Sequence, residues 1–189
     1  GSSIYVVSAL AGNAWRESHI NPTLGQQGGT AFGIFQWDGS RREALYTWLE
    51  ANGYERTDPV GQMKYLVVEN DWQGEFAGIT SLQEFLTSSS TNIAQLTEAF
   101  ETCWERAGKP ALQERIDFAY KAYDYIQEHA NDSSITAWET EPKYYLSESQ
   151  ALNNAVLMYR FYSAGGGGGG TPSKRKKSMP VWMMIRYNF

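Results

Sequence analysis

The chain has 189 residues, 42% hydrophobic, 14% aromatic and 20% charged, which suits one well-packed domain with appendages and excludes a wholly disordered chain or two large domains. Its net charge of −5 is unevenly placed: five of the 16 basic residues and none of the 21 acidic ones lie beyond the glycine run 165–170, leaving −10 up to Ala164 and +5 in the tail. An acidic body repels nucleic-acid phosphates, and no apolar run reaches the roughly 18 to 20 residues of a membrane helix, so neither nucleic acid nor membrane is an expected partner.

Gly1-Ser2-Ser3 carries no secretion signal and reads as an expression scar, with native sequence expected upstream. Residues 4–19 are apolar on nearly every side, predicting a central buried helix stopped at Asn21-Pro22. Gly25, Gly28 and Gly29 then lead into the aromatic run 31–37, which suits a short hairpin or an extended loop. Residues 41–52 predict a second helix, with Ser40 as N-cap, Ala44, Leu45, Trp48 and Leu49 inward, and Gly53 as C-cap. Asp58-Pro59 opens a third, buried through Met63, Leu66 and Val67.

A short helix is expected over 81–87, and another after a Thr91 cap that buries Ile93, Leu96, Ala99, Phe100, Cys103 and Trp104 and ends at Gly108. Pro110 starts a helix to about Ala130, with Leu112, Ile116, Ala119, Tyr120 and Tyr123 at helical spacing. The pattern lapses over 131–142 and returns as a helix over 147–162, with Leu152, Ala155, Val156 and Tyr159 inward. The sequence thus divides into a helical domain (1–130), a helical extension (131–164), a glycine-rich and basic linker (165–178) and an apolar end (179–189) that reads as the start of another domain or a docking strand. One cysteine and two histidines exclude a disulfide framework and make a metal cluster unexpected.

Glu17 is the most informative residue. It stands near the end of the apolar helix, with Ala14, Asn13 and Leu10 on the turns before it. An apolar surround and the negative end of the helix dipole both disfavour a charged carboxylate there. A carboxylic acid that keeps its proton can donate it, as glycoside cleavage requires. The plain alternative is a solvated glutamate at a helix end.

The residues around Glu17 form ordered blocks. Gly12-Asn13 precedes Arg16-Glu17-Ser18, then come Ile20-Asn21-Pro22, then Ala31-Phe32-Gly33-Ile34-Phe35-Gln36-Trp37 with Arg41 or Arg42 next; Trp104-Glu105-Arg106-Ala107 and Arg115, Ala119, Tyr123 follow. Across about residues 6–128 this resembles the bacteriophage tail lysozyme family. The resemblance implies a mainly α, lysozyme-like domain with a small glycine-rich β-hairpin or loop beside the catalytic helix. It implies cleavage of the β-1,4 bond between N-acetylmuramic acid and N-acetylglucosamine in bacterial peptidoglycan, without a cofactor or metal. Its expected setting is the virion tail, with other tail proteins or the rest of a longer tail chain as partners, acting on the host wall.

By the same resemblance Glu17 is the general acid, and Gln36, Trp37 and Asp38 are substrate-binding. An indole stacks on a pyranose and an amide bonds an N-acetyl group. Each has a structural alternative: Trp37 in the core, Gln36 bracing the loop to the first helix, Asp38 capping the turn Asp38-Gly39-Ser40. Two departures stand out. Where some lysozymes carry a second carboxylate, two positions before Gly33, this chain has Ala31. That weakens a covalent route and leaves open water attack with inversion, or the intramolecular attack of a lytic transglycosylase. The helix that usually precedes the catalytic one is also missing; it lies upstream, or the helix 147–162 fills its place. A non-catalytic wall-binding or structural tail module remains the reading from another class. Glu105, Arg106, Glu114 and Arg115 are expected to form one ion-pair cluster holding the last helices together.

Overall fold

The computed structural model describes residues 1–108 and 111–166. The order is α1 (Ile4–Ser18), α2 (Gly39–Ala51), α3 (Pro59–Glu69), α4 (Leu82–Leu86), α5 (Ile93–Phe100), a π-helical turn (Glu101–Glu105), α6 (Leu112–His129) and α7 (Glu148–Ser163). The linker beyond Gly166, with its basic run, and the apolar end 179–189 fall outside the described residues, as does Pro110.

α1 is the axis. Ten of its fifteen residues are buried, from Val6 to Ala14 and again at Ser18, and it packs on α5, α6 and α7. Ser3 caps its start and His19 ends it in a left-handed turn, so the helix stops two residues before Asn21-Pro22 and the proline lies just past the cap. Ile20 is left-handed too (φ 58°), a strained conformation for a β-branched residue, and it is fully buried. Asn154 on α7 holds it there by donating to the Ile20 carbonyl at 3.1 Å.

Gly12 sets the approach of α6 to α1. A Cβ at this position would lie 2.3 Å from the Arg115 carbonyl oxygen and 2.8 Å from the Ala119 Cβ, so only a residue without one lets the two backbones come this close. The buried face of α6 is Arg115, Phe118, Ala119, Ala122 and Ile126, rotated from the stripe expected through Ile116 and Tyr120; Tyr120 is exposed. α5 and the π-helical turn then carry Leu96, Phe100 and Trp104 into a shared aromatic core with Phe35 and Trp37.

Several caps differ from the sequence reading. Asp38, just before Ser40 in the chain, accepts the Gly39 N–H and caps α2; Asn92, not Thr91, caps α5 by accepting the Gln95 N–H. Ser40 already lies inside α2, and Asn92 is the residue immediately before α5, so each observed cap holds the position the motif requires. Ser147 caps α7 in a reciprocal capping box with Gln150.

The glycine-rich segment 25–37 is not a hairpin. Among the described residues it forms only isolated bridges, Gly25 with Phe32 and Phe32 with Trp37. Its own backbone bonds, Gln26 to the Ala31 carbonyl, Phe32 to Trp37 and Gly33 to Leu24, are joined by side chains: the Ile34 N–H donates to Gln62 Oε1 at 2.9 Å, and Ser18 Oγ donates to the Ile34 carbonyl at 2.7 Å. Gly33 (φ 81°) has no room for a side chain, because a Cβ would meet Gln62 Oε1 at 2.6 Å.

α7 lies against α1 and α6, so the flank of the central helix is occupied by this later helix. Ala151, Ala155, Val156, Met158 and Tyr162 join the same apolar cluster as α1. The segment between α6 and α7 seals the end of α1: Asn21 Nδ2 donates to the carbonyls of Glu141 and Tyr144, and the Tyr145 ring packs against His19. At the opposite end of α1 the Ser2 N–H donates to the Tyr162 carbonyl at 3.0 Å.

Gly12→Ala is expected to destabilise the domain by about 1–3 kcal/mol through overpacking, lowering the melting temperature by about 2–4 °C per kcal/mol. Ala at Gly108, where a Cβ meets nothing within 4 Å, is the control expected to shift it little. Thermal denaturation followed by circular dichroism checks both.

Candidate active site

Glu17 projects from the last turn of α1 with its side chain 21% exposed. Its setting is polar on one side. Arg115, 1% exposed, donates from Nη2 to Glu17 Oε1 at 2.6 Å, and from Nη1 to the backbone and side-chain oxygens of Asn13 at 3.2 Å each. Asn13 is itself fixed, donating to the Ala9 and Thr97 carbonyls. A chain of buried polar groups therefore runs from α5 through Asn13 to Arg115 and ends on one oxygen of Glu17. The other oxygen, Oε2, has no hydrogen-bond partner among the described residues. This corrects the mostly apolar surround expected from sequence: the helix stripe is largely apolar, but α6 brings a guanidinium to its tip.

The expected ion-pair cluster of the last helices is dispersed. Glu114 pairs with Arg16 and Arg106 with Asp71, while Arg115 turns to Glu17. Glu105 makes no ion pair among the described residues. Its Oε1 is sealed from solvent and has no hydrogen-bond partner among them. Burial pushes its carboxyl well above the usual range, and the charge of Glu17 pushes the same way; Arg115 and Arg41 oppose this without cancelling it. Burial therefore favours the protonated form of Glu105. It ends the π-helical turn, an irregularity frequent at functional sites.

The other predicted residues are placed as follows. Trp37 is fully buried, donating from Nε1 to Glu69 Oε2 at 2.8 Å with its ring edge-on to Phe35 and Trp104, so it offers no face to a sugar. Its core alternative fits these surroundings. Gln36 is half-buried and left-handed, and its Nε2 donates to the carbonyls of Leu24 and Gly33. It braces the loop to itself and to Leu24 rather than to the first helix. Asp38 is exposed and takes hydrogen bonds from Thr30 Oγ1 and the Gly39 N–H, which hold its carboxyl below the usual range: a capping carboxylate. The side chain hydrogen-bonded to Glu17 is Arg115 rather than Gln36, Trp37 or Asp38, and Asp38 is occupied at the start of α2.

Behind Trp37 lies a second braced group. Arg41 donates to both oxygens of Glu69, at 2.7 and 3.1 Å, and stacks over Trp104 with its guanidinium carbon 4.3 Å from the ring centre. It fastens α2, α3 and the π-helical turn together. No group of three or more potential metal-ligating side chains occurs among the described residues. A hollow of ≈ 380 Å³ on the extension, lined by Tyr125, Asp132, Ile135 and Asn153 among others, includes none of the predicted site residues.

Sequence reasoning set Arg115 and Glu105 aside as structural. The signal for Arg115 was present: it is the one charged residue in register with Phe118, Ala119 and Ala122 on a buried helical face. Glu105 carried no such signal, because its neighbours come from distant segments.

In comparison with known proteins, the family model described as phage tail lysozyme matches residues 1–126. A comparison with curated proteins gives no match.

A carboxyl protonated in the fold and ionised in the unfolded chain contributes stability below the ordinary glutamate value near 4.5 that is lost as pH rises toward its folded-state value. Glu105→Gln removes that loss. The melting temperature of the variant relative to wild type is therefore expected to climb between pH 4 and pH 8, by about 2–4 °C for each kcal/mol relieved. Parallel thermal scans across that range check the sign.

Proposed function

Because the chain belongs to the phage tail lysozyme family, and so to the peptidoglycan hydrolases in role, we propose that it cleaves the β-1,4 bond between N-acetylmuramic acid and N-acetylglucosamine, with Glu17 as general acid. The observation that carries this reading is the seating of Glu17: one carboxyl oxygen clamped by a buried guanidinium, the other untied, and the side chain partly open to solvent at the end of a rigid helix. A general acid must hold a fixed direction toward the leaving oxygen. The bond from Arg115 supplies the direction, and Asn13 keeps Arg115 from following the substrate.

In the proposed step, Glu17 gives a proton to the glycosidic oxygen as the bond from that oxygen to the anomeric carbon breaks. Charge builds on the sugar ring, and water attacks the anomeric carbon and loses a proton to solvent, from which Glu17 is protonated again. Gln36 supports the reading in a modest way: its amide nitrogen is committed to the loop, and its oxygen, untied among the described residues, can accept from the N–H of an acetamido group. Asp38 holds the loop's edge through Thr30 and Gly39 rather than meeting the sugar. We assign the protein to the phage tail, where it opens the host wall locally during infection beside other tail components.

The test is release of soluble muropeptides from purified cell walls by wild type and Glu17→Gln. Release is expected to fall by about 100-fold or more, within the range for loss of a general acid. Equal release by both overturns the assignment and favours a wall-binding module. Mass spectrometry of the fragments is expected to show reducing muramic acid ends; 1,6-anhydro ends would make the protein a lytic transglycosylase.

A further inference from the structure

The chain just past α1 is sewn to the extension through three consecutive residues. His19 Nδ1 donates to the Leu146 carbonyl at 2.8 Å. Asn154 Nδ2 donates both to the Ile20 carbonyl, at 3.1 Å, and to the Glu139 carbonyl, at 2.9 Å. Asn21 Nδ2 donates to the carbonyls of Glu141 and Tyr144, at 2.7 and 2.9 Å. Asn21 and Asn154 are fully buried, so the segment 139–146 is held through its backbone by fixed donors. Its tyrosine rings are left outside: Tyr144 is 65% exposed and Tyr145 58%, the two most exposed large hydrophobic side chains among the described residues. The Tyr145 ring lies 4.6 Å from that of His19, which in turn stacks on Trp15 of α1 at 3.6 Å.

Two neighbouring exposed rings on an anchored segment suit sugar binding. An aromatic face takes up the apolar face of a pyranose, and a segment already fixed loses little freedom when it does so. Consecutive Cα atoms lie 3.8 Å apart, so His19 is within about 7.6 Å of Glu17 at Cα, and a glycan strand passing the end of α1 covers the remaining distance to the tyrosines in a few sugar units. Trp37, expected as the sugar platform, is buried, and the family match ends at residue 126, before this segment begins.

We propose that Tyr144 and Tyr145 form a distal glycan-binding surface, stacking on pyranose rings of the N-acetylated glycan strand a few units away from the bond at Glu17. The inference rests on the proposed glycan substrate and adds a second hold on it, supplied by the extension. A strand long enough to meet both places binds more tightly, and the chemistry at Glu17 is unchanged. A fragment too short to reach the tyrosines gains nothing from them.

The probe is glycan strands freed of peptides from purified walls and sorted by length, titrated calorimetrically into Glu17→Gln so that they stay intact. Adding Tyr144→Ala and Tyr145→Ala to that background is expected to weaken binding of long strands about 10-fold and to leave a disaccharide unaffected. Phe at both positions keeps the rings and is expected to keep the affinity. Unchanged binding in the Ala variant overturns the surface, and a loss in the Phe variant as large as in the Ala variant overturns ring stacking. Peptides released from the same walls are the contrasting probe: if their binding falls in the Ala variant while glycan binding does not, the occupant is the peptide and the proposal is overturned.

In protein that retains Glu17, the two Ala substitutions are expected to raise KM on long strands about 10-fold with kcat unchanged. If wild type cuts walls and KM stays put, the surface alone fails. If the tyrosines bind glycan as expected while wild type releases no muropeptides, the surface stands and the hydrolase reading is the part that fails.

Discussion

The bond from Arg115 to Glu17 depends on how closely two helices meet. A guanidinium 1% exposed is tolerable inside a protein only if its donors are met by fixed acceptors, and the acceptors here, Asn13 and Glu17, lie on one face of α1. That face is reachable because Gly12 lets the α6 backbone press against the helix at the level of Arg115. The charge pair therefore has a steric cause: remove the space, and the buried cation loses its partners before the carboxyl loses its direction.

Everything next to this contact serves to immobilise it. The loop 25–37 is tied by side chains rather than by strand pairing, through Ser18 on α1 and Gln62 on α3, so the segment beside Glu17 takes its shape from two helices at once. The left-handed pair His19 and Ile20 turns the chain sharply after the last helical turn, and Asn154 and Asn21 tie that corner to α7 and the segment before it. A strained corner persists where its surroundings over-determine it. The extension is accordingly part of what holds the end of α1, although the family match stops at residue 126.

Much of the helical framework was legible because its signals are local. The apolar run of α1, the Asp58-Pro59 opening of α3 and the returning helical spacing of α7 each lie within a few residues of the structure they specify. Errors arose where two local signals competed, as with Ser40 and Asp38 before α2, or where the buried face of α6 includes a charge that a purely apolar pattern skips. Of the two readings of the segment 25–37 the loop holds, because bonds from Ser18 on α1 and Gln62 on α3 shape it alongside its own backbone bonds, and no period within the segment encodes them. The site shows the same division. Glu17 was singled out from its position on a greasy helix, whereas Arg115 becomes its neighbour only through folding, and Trp37 looked like a sugar platform only while its burial was unknown.

The hydrogen bond between Ser2 and Tyr162 joins the first turn of α1 to the last turn of α7. Chain entering at one and leaving at the other would do so through a single doorway. A unit of this shape can be spliced into a surface loop of a carrier protein without stretching either partner, and its sequence can be circularly permuted by bridging the two points and opening an exposed turn elsewhere.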